Sequence, residues 1–513
     1  VKGSLRKTIP SADGRTLWNE YEKLVEDVKG HALTLNLLGA YLRDAHAGDI
    51  RQRDLIRLEE ADAEEHGGHA FHVMDAYLKS FESGGKTADD QAKGRRALAL
   101  LQLLGLFDRP ATAELLKALW TGEPIVGLTE QLFTLGKKWL GVSQTFQPIS
   151  EAQRNLSLKR LEDAKLLTVN RAAGSGELIA LDAHPLLREY FARRLRQQQP
   201  EAWRAAHQRL YEHLCATTPD KPEPTLEDLQ PLYQAVAHGC QAGLQQEALN
   251  KVYAARLQRR DERYSTFKLG ALGSDLGAIA CFFEIPWSRI SPTLKEAEQA
   301  WMLNEAAFRL RALGRLTESL EPMRAGLPIE VKREDWRNAA IRASNLSELE
   351  LTLGEVAGAV GDAEQSVTYA SRIGDAFEQI VNRTTHADTL YQAGRRAEAE
   401  ARLREAEQMQ AMLQPEYPLL YSIGSFRYCD LLLAEAERAA WQMRNAQRGI
   451  HHAESIEACR AVSQRAAQTL KWAEGMGHAP LLDFALHHLT LGRAALYAAI
   501  LEHSDFRLLT SPT

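Results

Sequence analysis

The sequence predicts a mainly α chain, helical through its first two hundred residues apart from one small β-hairpin, then a solenoid of stacked helical hairpins. Three observations carry this. Apolar residues recur at spacings of three and four along nearly the whole chain. Only residues 164–185 set two short apolar runs, Leu166–Val169 and Leu178–Leu181, on either side of a turn at Gly174-Ser175-Gly176. Beyond residue 290 a turn residue recurs at steps of 40, at Gly314, Gly354, Gly394 and Ala434, each followed five positions later by a small residue (Ser319, Ala359, Ala399, Ala439).

In chain order, residues 1–90 read as a helical subdomain. Phe71, Met74, Leu78 and Phe81 line one helix face there. The Gly-Lys-Thr triplet after it, Gly85 to Thr87, has the tail of a phosphate-binding loop. That loop needs a Gly six positions before the Lys, and Ser80 stands there, so the triplet reads as a linker between two helices. Residues 91–198 read as a winged helix: helical stretches at 93–107, 111–120 and 155–167, then the hairpin, then a helix opened by Pro185 with Leu186, Leu187, Tyr190, Phe191 and Leu195 on one face. Residues 199–290 read as linking helices. They include a Pro-rich loop at 217–231, a stretch at 238–253 resembling the later repeats, and a break at 284–296.

Residues 291–513 are the repeats, in which a turn and then a small residue let two helices approach closely. They resemble a tetratricopeptide array with an unusual period of 40, and armadillo-like pairs are the competing reading. The last stretch, from Leu481 to Leu501, reads as a packed helix pair.

Composition narrows the function. Among 513 residues 45% are hydrophobic and 25% charged, with a formal net charge of −6, which gives no general attraction to nucleic acid or anionic membrane. The longest apolar run, residues 97–107, is too short to span a bilayer. Five scattered cysteines without a Cys-x-x-Cys pair read as free thiols of a cytoplasmic protein. In the winged helix, Lys159, Arg160 and Lys165 alternate with Glu162 and Asp163, a solvated face that argues against DNA. His66, His69 and His72 flank Gly67-Gly68 and do not make a metal site, and adjacent His487 and His488 point apart on a helix. No catalytic signature is present.

Two stretches carry a resemblance. "VKGHALTLNLLGAYL" (28–42) and "LDAHPLLREYFARRL" (181–195) are similar to motifs of the NB-ARC type of STAND signal-transduction ATPase. The first matches the family's Gly-x-Pro-Leu-Ala-Leu segment with Gly30, His31 and Ala32, Ala32 replacing the Pro that packs near the adenine. The second matches the Met-His-Asp motif, with Ala183 and Pro185 around His184. The resemblance implies that His184 reaches the β-phosphate of ADP, with Gly30, His31 and Ala32 near the base. It further implies that ATP or ADP with Mg is held mostly by an upstream core outside this chain, and that a protein ligand on the repeats triggers opening and self-association. The alternatives are that His184 only caps its helix, and that the chain is a plain interaction scaffold or a DNA-binding regulator.

Overall fold

The computed structural model describes residues 25–26, 32–46, 68–83, 87–135, 146–442, 453–477 and 479–502. Helices dominate, with small strand pairs between them, and the chain gathers into two compact units, 1–271 and 272–513. The break falls inside the segment expected to link the winged helix to the repeats.

In the first unit, helix α1 (Ala32–His46) packs on α2 (Gly68–Ser83), and α2 on α3 (Ala88–Leu103). Met74, Leu78 and Phe81 are buried on the expected face of α2. Thr87 caps α3, its hydroxyl accepting from the Asp90 N–H at 3.2 Å. The threonine of the Gly-Lys-Thr triplet is therefore a helix cap, while Gly85 and Lys86 lie outside the described residues. A short helical turn, Leu104–Leu106, continues α3 under a later helix. A Cβ on Gly105 would stand 2.6 Å from the Ala192 nitrogen, so only glycine admits this approach.

The next elements correct several boundaries. Residues 111–120 are not all helix: β1 (Ala111–Thr112) precedes α4 (Ala113–Thr121). A pair that periodicity missed follows, β2 (Phe133–Leu135) with β3 (Phe146–Pro148). Helix α5 (Glu151–Asp163) starts at a Ser150–Gln153 capping box. It stops before Leu166, because Lys165 takes a φ of 61° and turns the chain. Leu166 and Leu167 then enter the core, and the strand begins two residues later than expected. The hairpin is β4 (Thr168–Arg171) against β5 (Leu178–Asp182), antiparallel, with Val169 opposite Leu181. Strand β1 adds to its other edge, giving the order β1-β5-β4. Helix α6 (Pro185–Gln198) closes the group and buries Leu187, Tyr190, Phe191 and Leu195.

Helices α7 (Pro200–Thr217) and α8 (Leu226–Gln241) follow, then α9 (Gln245–Glu247), which continues as a π-helical stretch, Ala248–Leu257, and α10 (Tyr264–Phe267). The Pro-rich loop is shorter than 217–231, because Thr225 and Asp228 form a capping box that starts α8 early. The basic run at 256–263 clamps this loop. Arg256 donates to Asp220, Cys215 O and Thr218 O, and Arg259 donates to Pro222 O while lying over the Tyr264 ring.

The second unit opens with α11 (Leu272–Ala280) and a small hairpin, β6 (Phe283–Ile285) with β7 (Arg289–Ile290). Three helical hairpins come next: α12 (Glu296–Ala312) with α13 (Leu316–Lys332), α14 (Trp336–Leu353) with α15 (Val356–Ile373), and α16 (Ala376–Gln392) with α17 (Arg396–Leu413). Gly314, Gly354 and Gly394 occupy equivalent turns at φ of 75°, 85° and 79°. After each, the next N–H returns to a carbonyl five residues back: Arg315 to Leu310 (2.8 Å), Glu355 to Glu350 (2.8 Å) and Arg395 to Leu390 (2.9 Å). Ser319, Ala359 and Ala399 are fully buried where the paired helices meet. The step of 40 extends to the next connections, where Asp335 and Asp375 cap α14 and α16. The same turn also stands at Gly243, before buried Ala248, in the first unit.

Ala434 breaks the series. It lies inside α18 (Ser422–Gln442), not in a turn. Pro415 and Pro418 disfavour helix at the residues before them, so α18 starts six residues later than α16 would require and runs through position 434. The C-terminal stretch is also not a helix pair. After α19 (Ala453–Met476) it forms one helix, α20 (Leu481–Glu502), long and apolar enough by composition to cross a membrane. It packs on α18 and α19, and its Arg493 is paired with Asp430 and Glu437. His487 is buried against Thr469 while His488 is exposed, so the two do point apart.

Candidate functional site

His184 stands between β5 and α6, where strand geometry ends and Pro185 imposes a helical φ. Its carbonyl accepts the first turns of the helix, from Leu187 at 2.9 Å and Arg188 at 3.2 Å. Its Nδ1 accepts from the Leu186 N–H at 3.3 Å, which makes the imidazole an N-cap. A ring accepting at Nδ1 carries its proton on Nε2 when neutral. The side chain is exposed, at the positive end of a 14-residue helix.

Neighbouring side chains brace this helix start. Asp182, the last residue of β5, accepts from the Ala183 N–H at 2.8 Å and from Arg188 Nη2 at 3.0 Å. The Nε and Nη1 of Arg188 are buried without a hydrogen-bond partner among the described residues. Arg188 is four residues after His184, on the same face of the helix. Two residues on, Tyr190 donates to Asp75 of α2, which also faces Arg194 at 3.6 Å, and Phe71 packs on the Tyr190 ring. Burial, and then the Asp75 carboxylate, push the Tyr190 hydroxyl well above its ordinary pKa.

Of the other expected site residues, Ala32 is the exposed first residue of α1, while Gly30 and His31 lie outside the described residues. Ala32 and His184 stand on different helices, and α2 packs against both of those helices. Asp182 and Asp75 were not singled out from sequence. An acid two positions before a helix-capping His was the available signal for Asp182; Asp75 comes from 115 residues away, and no local pattern announces it.

The basic face of α5 is occupied internally. Lys159 faces Asp163 at 3.7 Å, and Arg160 lies over the Phe81 ring at 5.0 Å. Among the described residues no group of three or more His, Cys, Asp or Glu could hold a metal, and His66 lies outside them. In the second unit, α14, α16 and α18, with Asp483 of α20, line an open groove of about 390 Å³ to which exposed apolar side chains contribute.

No family model matches the chain, and no curated protein does. One solved structure similar to it is a signal transduction ATPase with numerous domains (STAND) that carries a tetratricopeptide repeat sensor, from Pyrococcus horikoshii. The match covers 94% of this chain and 69% of that one, at 14% identity and a TM-score of 0.24.

Proposed function

We propose that this chain is the regulatory and ligand-sensing part of a STAND-type ATPase switch. In this reading residues 91–198 are a winged helix that closes over ADP. The phosphate-binding loop and Mg site belong to a core domain beyond these 513 residues. The repeats hold the closed form until a protein ligand binds them, after which the protein opens, exchanges ADP for ATP and self-associates. Action in the cytoplasm, in bacterial anti-phage defence, is part of the same proposal, by analogy alone.

The observation that carries it is the His184 imidazole. Its cap bond to Leu186 occupies Nδ1 and leaves Nε2 to donate from an exposed side chain at a helix N-terminus, where the dipole also favours an anion. Capping and phosphate binding are thus compatible, since the cap sets the tautomer and orientation of the donor.

The test uses the longer protein with its core. A hydrogen bond to phosphate worth about 1 to 3 kcal/mol shifts the closed-to-open ratio roughly 5- to 150-fold. His184→Ala should retain less ADP on purification and oligomerise without ligand. Unchanged ADP content with a lower melting temperature would leave His184 as a cap alone. The 513-residue chain by itself should bind ATP weakly, because a lid without its phosphate loop keeps few contacts.

A further inference from the structure

The groove on the repeats has a chemistry that selects its occupant. Its walls come from the first helices of successive hairpins, α14 and α16, from α18, and from Asp483 at the start of α20. Ile341, Phe377, Val381 and Ile423 present exposed apolar surface into it. Two of these, Ile341 and Val381, are equivalent positions one repeat apart, so the apolar stripe follows the solenoid from helix to helix.

The polar lining is one-sided. Among the described lining residues, Glu348, Glu378 and Asp483 stand against one cation, Arg427. That guanidinium is already engaged by Glu348 at 2.6 Å, Asp388 at 3.3 Å and Thr385 Oγ1 at 3.0 Å. Glu378 pairs with Arg337 at 3.0 Å, whereas the Asp483 carboxylate accepts from the Ser422 hydroxyl at 2.7 Å. Asn382 also lines the groove but is 1% exposed, its Nδ2 donating to the Glu378 carbonyl at 2.7 Å. Its Oδ1 has no donor among the described residues but is itself buried, so it offers nothing to a ligand in the groove.

We infer that this groove takes a segment of a partner polypeptide in which an apolar side chain is flanked by lysine or arginine. The apolar part covers Ile341, Phe377, Val381 and Ile423, and the cation meets Asp483 and the acidic wall. Extent favours a polypeptide over a small cation. Three packed helices at spacings of about 8 to 10 Å span roughly 20 Å, the length of about six extended residues. The inference rests on reading the repeats as the ligand-sensing part, and it names the chemistry of that ligand.

The experiment uses the 513-residue chain without nucleotide, so its result is independent of the His184 test. Randomised 12-residue peptides are selected on the chain by display, and the enriched ones are synthesised and measured by fluorescence anisotropy. Apolar residues next to Lys or Arg should be enriched, and exchanging the basic residues for Glu should weaken binding at least ten-fold. Phe377→Ser and Asp483→Asn should each weaken it five-fold or more with circular-dichroism melting unchanged. No enrichment, enrichment of acidic peptides, or indifference to Phe377→Ser and Asp483→Asn would overturn the inference. So would spermidine binding with the same variant sensitivity, which would make the groove a small-cation site. Failure here with ADP loss in His184→Ala would leave the switch standing with a different ligand; the reverse result would leave a peptide-binding repeat without nucleotide coupling.

Discussion

The His184 side chain has two separable jobs, and substitution can tell them apart. Asn accepts from a helix N–H as His does but has no donor where Nε2 stands. His184→Ala should therefore lower the melting temperature of this chain by an amount matching about 1 kcal/mol, and His184→Asn should restore most of it. In the longer protein both variants should lose ADP. A second pair of imidazoles sets an acid limit. His207 of α7 and His238 of α8 are buried with Nδ1 atoms 2.8 Å apart, between Trp203 and Phe107. Burial, then His238 and Arg196, depress His207; burial depresses His238 to about 4, with Asp108 opposing and Arg109 assisting. Both folded pKa values lie below the unfolded value near 6.5, so the unfolded chain binds more protons as pH falls. Stability of the first unit should hold above pH 7 and decline from about pH 6.5 to 4, by roughly 3 kcal/mol from His238. Melting curves across this range check it, and His207→Phe with His238→Leu should flatten the decline. In the second unit Asp362 has the opposite sign. Burial and then Glu350 raise it to about 7, so its contribution is present at acid pH and lost as pH rises through 7. Asp362→Asn should raise the melting temperature at pH 8 more than at pH 5.

Turns and helix contacts explain how much of each element was readable. The repeat glycines could be found in sequence because φ near 80° is a local requirement that few other residues meet. Gly354→Ala should accordingly destabilise by about 1 kcal/mol or more, while Gly361→Ala, in the middle of α15 with nothing near its would-be Cβ, should stabilise by up to about 1 kcal/mol. Urea denaturation of the two variants reads the opposite signs directly. Ala434 misled because a small residue at the right interval satisfies the pattern without requiring a turn. Pro415 and Pro418 held the contrary local signal. Strand β1 was not readable, since Ala111–Thr112 becomes a strand only by pairing with Leu181 and Ala180, some 70 residues away.

Each compact unit carries its own core. In the second, clusters such as Ile380, Leu390, Leu403 and Leu431 are closed among themselves, and the fully buried Arg309 meets Asp275 and Glu305. Residues 272–513 expressed alone should be helical and unfold cooperatively, as circular dichroism on heating would record. A non-cooperative melt would mean that the division at 271 does not mark a folding boundary.

The sequence by itself determined the mainly helical class, the hairpin, the three glycine turns, and the helix that His184 and Pro185 begin. All are local: a φ requirement, an apolar period or a cap is written within a few residues. Tertiary structure alone decided that Asp75 meets Tyr190, that two histidines share a core, and that Asn382 is left with an unanswered oxygen beside an acidic groove. These depend on which helices pack together, and burial acquires its cost only once a second element excludes the water.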